Sequence, residues 1–425
     1  MRLFAPFHPF SVMHRTKKRF LRMFSSDTQP PTRRGVLASM TGAAAAVAGS
    51  ALLSGAPRAF ADSDSAEPTA EAARGGLPLT VVNSSGKFAN HAIHLYIVGS
   101  KGDRQVRVTR RGTLAPVKLT DNHAGGFTDY AIPLAARGAT TLRLPRMSGR
   151  IYLALGHKLK FKAVRGADGR IGLQQPAGWV ESDPNYQVLH DFVEFTHDAA
   201  GMHCNTTMVD MFSVPMMIGL NGAKNHSTGR LRAGGRAQVF HVLRNHPDFS
   251  RLVIGNRRII APSHGLDAGL FPQHYFDHYV DRVWHTYRNK NLVVRTNAGT
   301  FTGRVRDHRL AFSGPAQVSF AKPSTRDVLF CDGALAAPND GTSGPVAAAL
   351  GAGFNRSTLL SHHKQPTTHA SAFYGTAVTN HYAKAIHAAT TNGKAYGFAF
   401  DDVADWASYI EDPRPQHMHL TLTPF

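Results

Sequence analysis

The chain has 425 residues, with 48 Lys+Arg against 28 Asp+Glu, a net charge of +20 and two cysteines. That length is ample for two packed domains once a leader is removed. The basic residues are scattered and form no nucleic-acid module, so the charge fits attraction to anionic walls or surfaces better than a nucleic-acid partner.

Residues 1–61 read as an export leader. Arg2, Arg15, Lys17, Lys18, Arg19 and Arg22 precede Arg33-Arg34-Gly35, an Ala-rich run over 40–53 and the small-residue site Ala59-Phe60-Ala61. This pattern predicts a twin-arginine signal cut after Ala61 and a secreted or periplasmic protein. The apolar run is short of the roughly 20 residues that span a bilayer, and no later segment could span one, so no membrane association is expected after cleavage. Removing nine Lys+Arg and one Asp leaves the mature chain still basic, at about +12.

Residues 62–76 form a polar linker. Over 77–220 short strands alternate with turns: 77–82, 91–99, 127–134, 140–145 and 149–155, a pattern of a β-sandwich or barrel. Over 221–375 the character becomes mixed α/β. A helix is predicted at 272–288 from Phe276, Val280, Val283 and Tyr287 at helical spacing, then strands at 292–296, 301–305 and 309–312, and a small-residue helix at 345–354. The C-terminal segment, 376–425, holds a helix at 381–388 and a closing strand at 418–424 that returns to the β region.

The 24 histidines fall in no metal-binding spacing such as HExxH. No P-loop, dinucleotide glycine motif or GxSxG elbow is present, and neither a cofactor nor a metal is expected. A bridge between Cys204 and Cys331 would close a loop of over 100 residues; the sequence leaves that bridge and two thiols both open.

In a chain short of acids, residues 179–212 gather Glu181, Asp183, Asp191, Glu194, Asp198 and Asp210. Residues 188–196 and 205–212 read as strands joined by a loop at 197–204. Strand parity sets His190, Phe192, Glu194 and Thr196 on one face, and Thr206, Met208, Asp210 and Phe212 on one face of the partner. With Thr196 opposite Thr206, Glu194 and Asp210 become diagonal neighbours roughly 7–8 Å apart at the backbone. Paired carboxylates at such a gap suit glycosidic cleavage, closer to the inverting than to the retaining separation.

The motifs DFVEFT at 191–196 and NTTMVDMFSVPM at 205–216 resemble the signature of glycoside hydrolase family 64. Further matches are TRDVLFCDG (325–333), HYAKAIHA (381–388) and GKAYGFAFDDV (393–403), in the family's order across the mature chain. The resemblance implies a thaumatin-like β-barrel or sandwich domain packed against an α/β domain, with a groove between them. It also implies a hydrolase of β-1,3-glucan that releases oligosaccharides such as laminaripentaose by inversion; a monomer is expected. Glu194 would be the general acid and Asp210 the general base, with Thr196, Asn205, Thr206, Thr207 and Asp401 as sugar contacts. Met208 stands where the family pattern leads one to expect a polar residue, and the 197–204 loop lacks a Trp to stack on sugar. The competing reading is a non-catalytic thaumatin-like β-glucan-binding protein.

Overall fold

The computed structural model describes residues 76–425; the leader and nearly all of the 62–76 linker lie outside the described residues. A β-rich part and a mixed α/β part are present, and no sheet among the described residues closes into a barrel.

The β-rich part has two sheets. In the first, Asn225–Ser227, Met216–Asn221, His417–Leu422, Leu77–Asn83 and Thr140–Leu144 lie in that order. The C-terminal strand runs parallel to the first strand, with Leu79 opposite Met418 and Val81 opposite Leu420. Strict alternation drives this layer: Leu79, Val81, Ile218, Met418 and Leu420 are buried, and the residues between them are not.

The second sheet has the order Tyr409–Asp412, Met202–Asn205, Leu189–His197, Met147–Leu155, Ile93–Lys101, Arg104–Val108 and Leu114–Pro116, with Ile132–Pro133 paired beside Ile93–Lys101. Its odd-numbered central residues, among them Ile97, Ile151, Val193 and Phe195, share one core with the first sheet. Gly99 and Gly149 face each other within it, and a Cβ on either would strike the opposite backbone. The glycines therefore let the strands approach beside Phe195, which is opposite Gly149. The even-numbered residues Tyr96, Tyr152 and Phe192 face the other way, into a second cluster with Leu159 and Phe161. Only Ile132–Pro133 of the strand expected over 127–134 pairs with that sheet, because Thr128 instead donates its N–H to the Phe161 carbonyl.

The α/β part carries a sheet ordered Val318–Phe320, Arg309–Ser313, Gly299–Arg306, Leu292–Thr296 and Lys364–Gln365. The helix Asp277–Asn289 buries Val280, Val283 and Tyr287, as its spacing predicts, but starts later than residue 272. The Phe276 N–H is taken by Thr325 Oγ1, so the helical ladder opens after it. Helices Ser343–Asn355 and His381–Ala389 stand where the sequence places them. Three more, Gly235–Arg244, Pro262–Asp267 and Thr325–Phe330, have no sequence forecast.

Candidate active site

Glu194 lies in Leu189–His197, whose neighbours are Met147–Leu155 and Met202–Asn205. Register aligns three rows on the outer face of this sheet. Tyr96, Tyr152 and Phe192 form an aromatic row; Val98, Arg150, Glu194, Asn205 and Tyr409 form the next; Ser100, Ser148, Thr196, His203 and Glu411 form a third. The face thus passes from buried aromatic to charged to hydroxyl-rich within two strand pleats, and Glu194 sits at the change.

The register differs from the one expected from sequence. Thr196 faces His203, not Thr206, and Glu194 faces Asn205. The partner strand ends at Asn205 and the next begins at Met211, so Asp210 is a loop residue. The backbone leaves the sheet because it is claimed by other segments. Thr206 N–H bonds to Ser408, Met208 N–H bonds to Tyr396, and the Met208 carbonyl accepts from Tyr382 Oη at 2.6 Å. Met208 itself turns into the α/β core.

This detour carries Asp210 back over the sheet. Nη2 of Arg150 is 3.1 Å from Oε1 of Glu194 and 3.7 Å from Oδ2 of Asp210. The nearer carboxyl oxygens are therefore within about 7 Å of each other, a bound that admits the lower end of the inverting separation. Glu194 is 27% exposed and Asp210 7%. The Arg150 guanidinium also covers the Phe192 ring at 4.2 Å. Burial opposes its charge, but Tyr152, Glu194 and Asp210 outweigh that and raise its pKa, so it stays a cation.

His264, in the single-turn helix Pro262–Asp267, places Nε2 2.9 Å from Oδ1 of Asp210. Trp179 stacks on this imidazole with centroids 4.7 Å apart and planes at 20°. Phe330 meets it edge-on. Arg150, His264 and Trp179 are absent from the sequence forecast; a lone His after a proline and a Trp in a loop carry no spacing signal.

The other forecast residues divide. Thr196 is half-buried on the Glu194 face, with its hydroxyl 3.0 Å from that of Ser148. Asn205 is directly beside Glu194, and its buried Oδ1 has no hydrogen-bond partner. Thr206 and Thr207 are buried on the detour, where the Thr207 hydroxyl accepts from Val209 N–H. Asp401 has no exposed surface. It accepts from Arg356, His387 and Gly397 N–H, so it ties the α/β core together and offers nothing to a sugar. Burial would raise its pKa, but His387 and Arg356 hold it below the usual value. Cys204 lies in the core between the two sheets, whereas Cys331 hydrogen-bonds to Val328 and Asn355 in the other part; both remain thiols. Among the described residues no group of three or more His, Cys, Asp or Glu could hold a metal.

Two acids meeting one guanidinium nitrogen are an arrangement that can serve glycosidic cleavage. The beta-1,3-glucanase model of glycoside hydrolase family 64 matches residues 75–422, and the chain belongs to that family. It is 36% identical over 369 residues to a glucan endo-1,3-beta-glucosidase of Cellulosimicrobium cellulans, covering 82% of this chain and 65% of that relative. The chain therefore spans somewhat under two thirds of that relative's length. Among solved structures it is similar to a laminaripentaose-producing beta-1,3-glucanase in complex with laminaritetraose, at 36% identity, a TM-score of 0.75, and 82% of this chain and 99% of that one. A beta-1,3-glucanase domain from Clostridium beijerinckii matches at 29% identity, a TM-score of 0.72, and 83% and 99% coverage.

Proposed function

We propose that this protein is a secreted glycoside hydrolase that cleaves β-1,3-glucan and releases oligosaccharides such as laminaripentaose. The observation that carries the reading is the approach of Glu194 and Asp210 to one guanidinium nitrogen, in a chain similar to two solved beta-1,3-glucanases. Arg150 occupies Oε1 of Glu194 with two donors, which leaves Oε2 as the oxygen through which a general acid would deliver a proton to the glycosidic oxygen. Asp210, ionised, takes a proton from a water that attacks the anomeric carbon from the opposite side. The C–O bond to the leaving sugar breaks as the C–O bond to water forms, with inversion. Thr196 and Asn205 are the polar side chains beside Glu194 that meet sugar hydroxyls.

The same reading assigns the β-rich region, 77–220 with 376–425 returning to it, to a thaumatin-like domain. It assigns 221–375 to an α/β domain, with the glucan groove between them. The leader at 1–61 directs export through the twin-arginine pathway, and the mature protein acts as a monomer.

The test is product analysis on linear β-1,3-glucan, with the first-formed anomer followed by NMR, beside Glu194→Gln and Asp210→Asn. Release of α-anomeric oligosaccharides, with both folded variants silent, is the expected result. Glucan binding without cleavage by the wild type would make the protein a binding module instead.

A further inference from the structure

Resting on the assignment of Asp210 as the base, we propose that His264 is the positioning residue of that carboxylate, held in place by Trp179. The joint between them is built twice. The Ala261 N–H donates to the Asp210 backbone carbonyl at 3.0 Å, which locks the start of the Pro262–Asp267 helix to the Asp210 loop. Three residues on, His264 Nε2 meets Oδ1 of the same aspartate at 2.9 Å. The strands on either side are in register as well, Met211 with Ile260 and Phe212 with Ile259.

The imidazole is also clamped from outside this joint. Trp179 lies flat on one side and Phe330 presses from the edge. Trp179 is itself fixed, because Gly178 is packed against the buried Arg258, whose Nη2 donates to the Val188 carbonyl at 2.5 Å. Three segments distant in sequence therefore converge on one ring, and ordering them costs conformational entropy that a merely solvated histidine would not require. The ring's one visible polar task is to hold Oδ1. With Nε2–H donated there, the plane of the carboxylate is set and Oδ2 is the oxygen turned to Arg150 and the catalytic side. A base held in one orientation meets the attacking water without a rotational search. His264 contacts no sugar in this assignment and acts through Asp210.

The charged and titratable groups around this pair are Arg150 and Glu194 on the sheet, Tyr152 and Tyr382 within electrostatic reach of Asp210, and Arg326 with Asp267 behind Phe330. Loss of the imidazole donor removes a bond that favours the ionised carboxylate.

The experiment compares His264→Phe, which keeps a ring but no donor, with His264→Gln, which keeps a donor, in the full chain on linear β-1,3-glucan. His264→Phe should lower kcat about 100-fold with KM within about threefold, and shift the acid limb of the kcat/KM profile to higher pH. His264→Gln should recover about tenfold of that loss. The proposal is overturned if His264→Phe keeps kcat within about twofold of wild type, or if the Gln variant is as slow as the Phe variant with an unshifted pH profile. Should the Phe variant fail to fold, the Gln variant decides: a shift confined to KM overturns the proposal, and a kcat loss with a moved acid limb supports it. An active wild type with a silent Asp210→Asn and a normal His264→Phe would sink this inference alone. A wild type silent on glucan would sink the hydrolase reading, and this inference with it.

Discussion

Arg150 and Glu194 stand directly opposite each other on neighbouring antiparallel strands, and Nε and Nη2 of the arginine both reach Oε1 of the glutamate, at 3.2 and 3.1 Å. The fork saturates one oxygen and leaves the other for chemistry. It also stands between two acids that would repel each other if both were ionised. Arg150→Met removes the fork on Glu194 and the approach to Asp210, and should lower kcat/KM by about 100-fold. Arg150→Lys should recover little, since a point charge cannot reproduce the fork. A folded Arg150→Met variant with wild-type kcat/KM would refute this role.

Gly178 is where the Trp179 loop packs against buried Arg258. A Cβ at that position would overlap Nη1 of Arg258 and come within 2.9 Å of Met211 Sδ. Arg258 is fully buried and cannot swing aside. Gly178→Ala should cost roughly 2–4 kcal/mol of stability and lower activity by loosening Trp179 over His264. Urea melts and assays of the same samples check both. Unaltered stability would mean that the loop relaxes freely.

Much of the fold is legible in the sequence because its signals are local. Period-two burial marks Leu77–Asn83 and His417–Leu422, and helical spacing marks Asp277–Asn289. Glu194 is legible for the same reason, since parity within one strand sets its face. Asp210 does come near Glu194 through Arg150, but not by the strand pairing the sequence suggests. The sequence 205–212 has strand composition throughout, and only long-range bonds from Ser408, Tyr396 and Tyr382 pull 206–210 off the sheet. Arg150 and His264 are invisible for a related reason. Their roles come from a register with a strand about 40 residues away and from a helix turn about 50 residues away, and no periodicity records either. Asp401 looks like a groove residue in a polar turn, yet buried Arg356 and His387 claim it.

His190 and Asp191 are consecutive, buried and opposed in pH dependence. Burial, helped by Arg258, pushes His190 down to about 3, and burial pushes Asp191 up to about 7 against three backbone N–H groups. For His190 the unfolded chain binds a proton that the native state refuses, so its contribution is complete above pH 6.5 and lost as pH falls toward 3. For Asp191 the native state keeps a proton that the unfolded chain releases, so its contribution is complete below about pH 4 and lost as pH rises to 7. Between these limits the two slopes cancel. His190→Gln should unmask the Asp191 slope: wild type should gain roughly 2–3 kcal/mol on the variant between about pH 4.5 and 6.5. Urea denaturation at the two pH values measures it, and a pH-independent difference would contradict the assignment.

The two thiols give a chemical test of the separate cores. Cys204 sits between the sheets, where burial raises its pKa, and Cys331 packs against Asn355 and Gly351 in the α/β part. A buried thiol with little thiolate character is a poor nucleophile. Native protein should therefore react with fewer than one equivalent of a disulfide reagent over the time in which the unfolded chain yields both thiols. Reductant should leave the melting temperature unchanged, because no bridge between Cys204 and Cys331 constrains the unfolded chain. A fall in melting temperature on reduction would require the two cysteines to meet, and so a packing of the Cys204 strand against the Cys331 helix end that differs from the one described. Such a shift would move Asn205, and with it the polar row beside Glu194, which makes the thiol count an independent check on the candidate site.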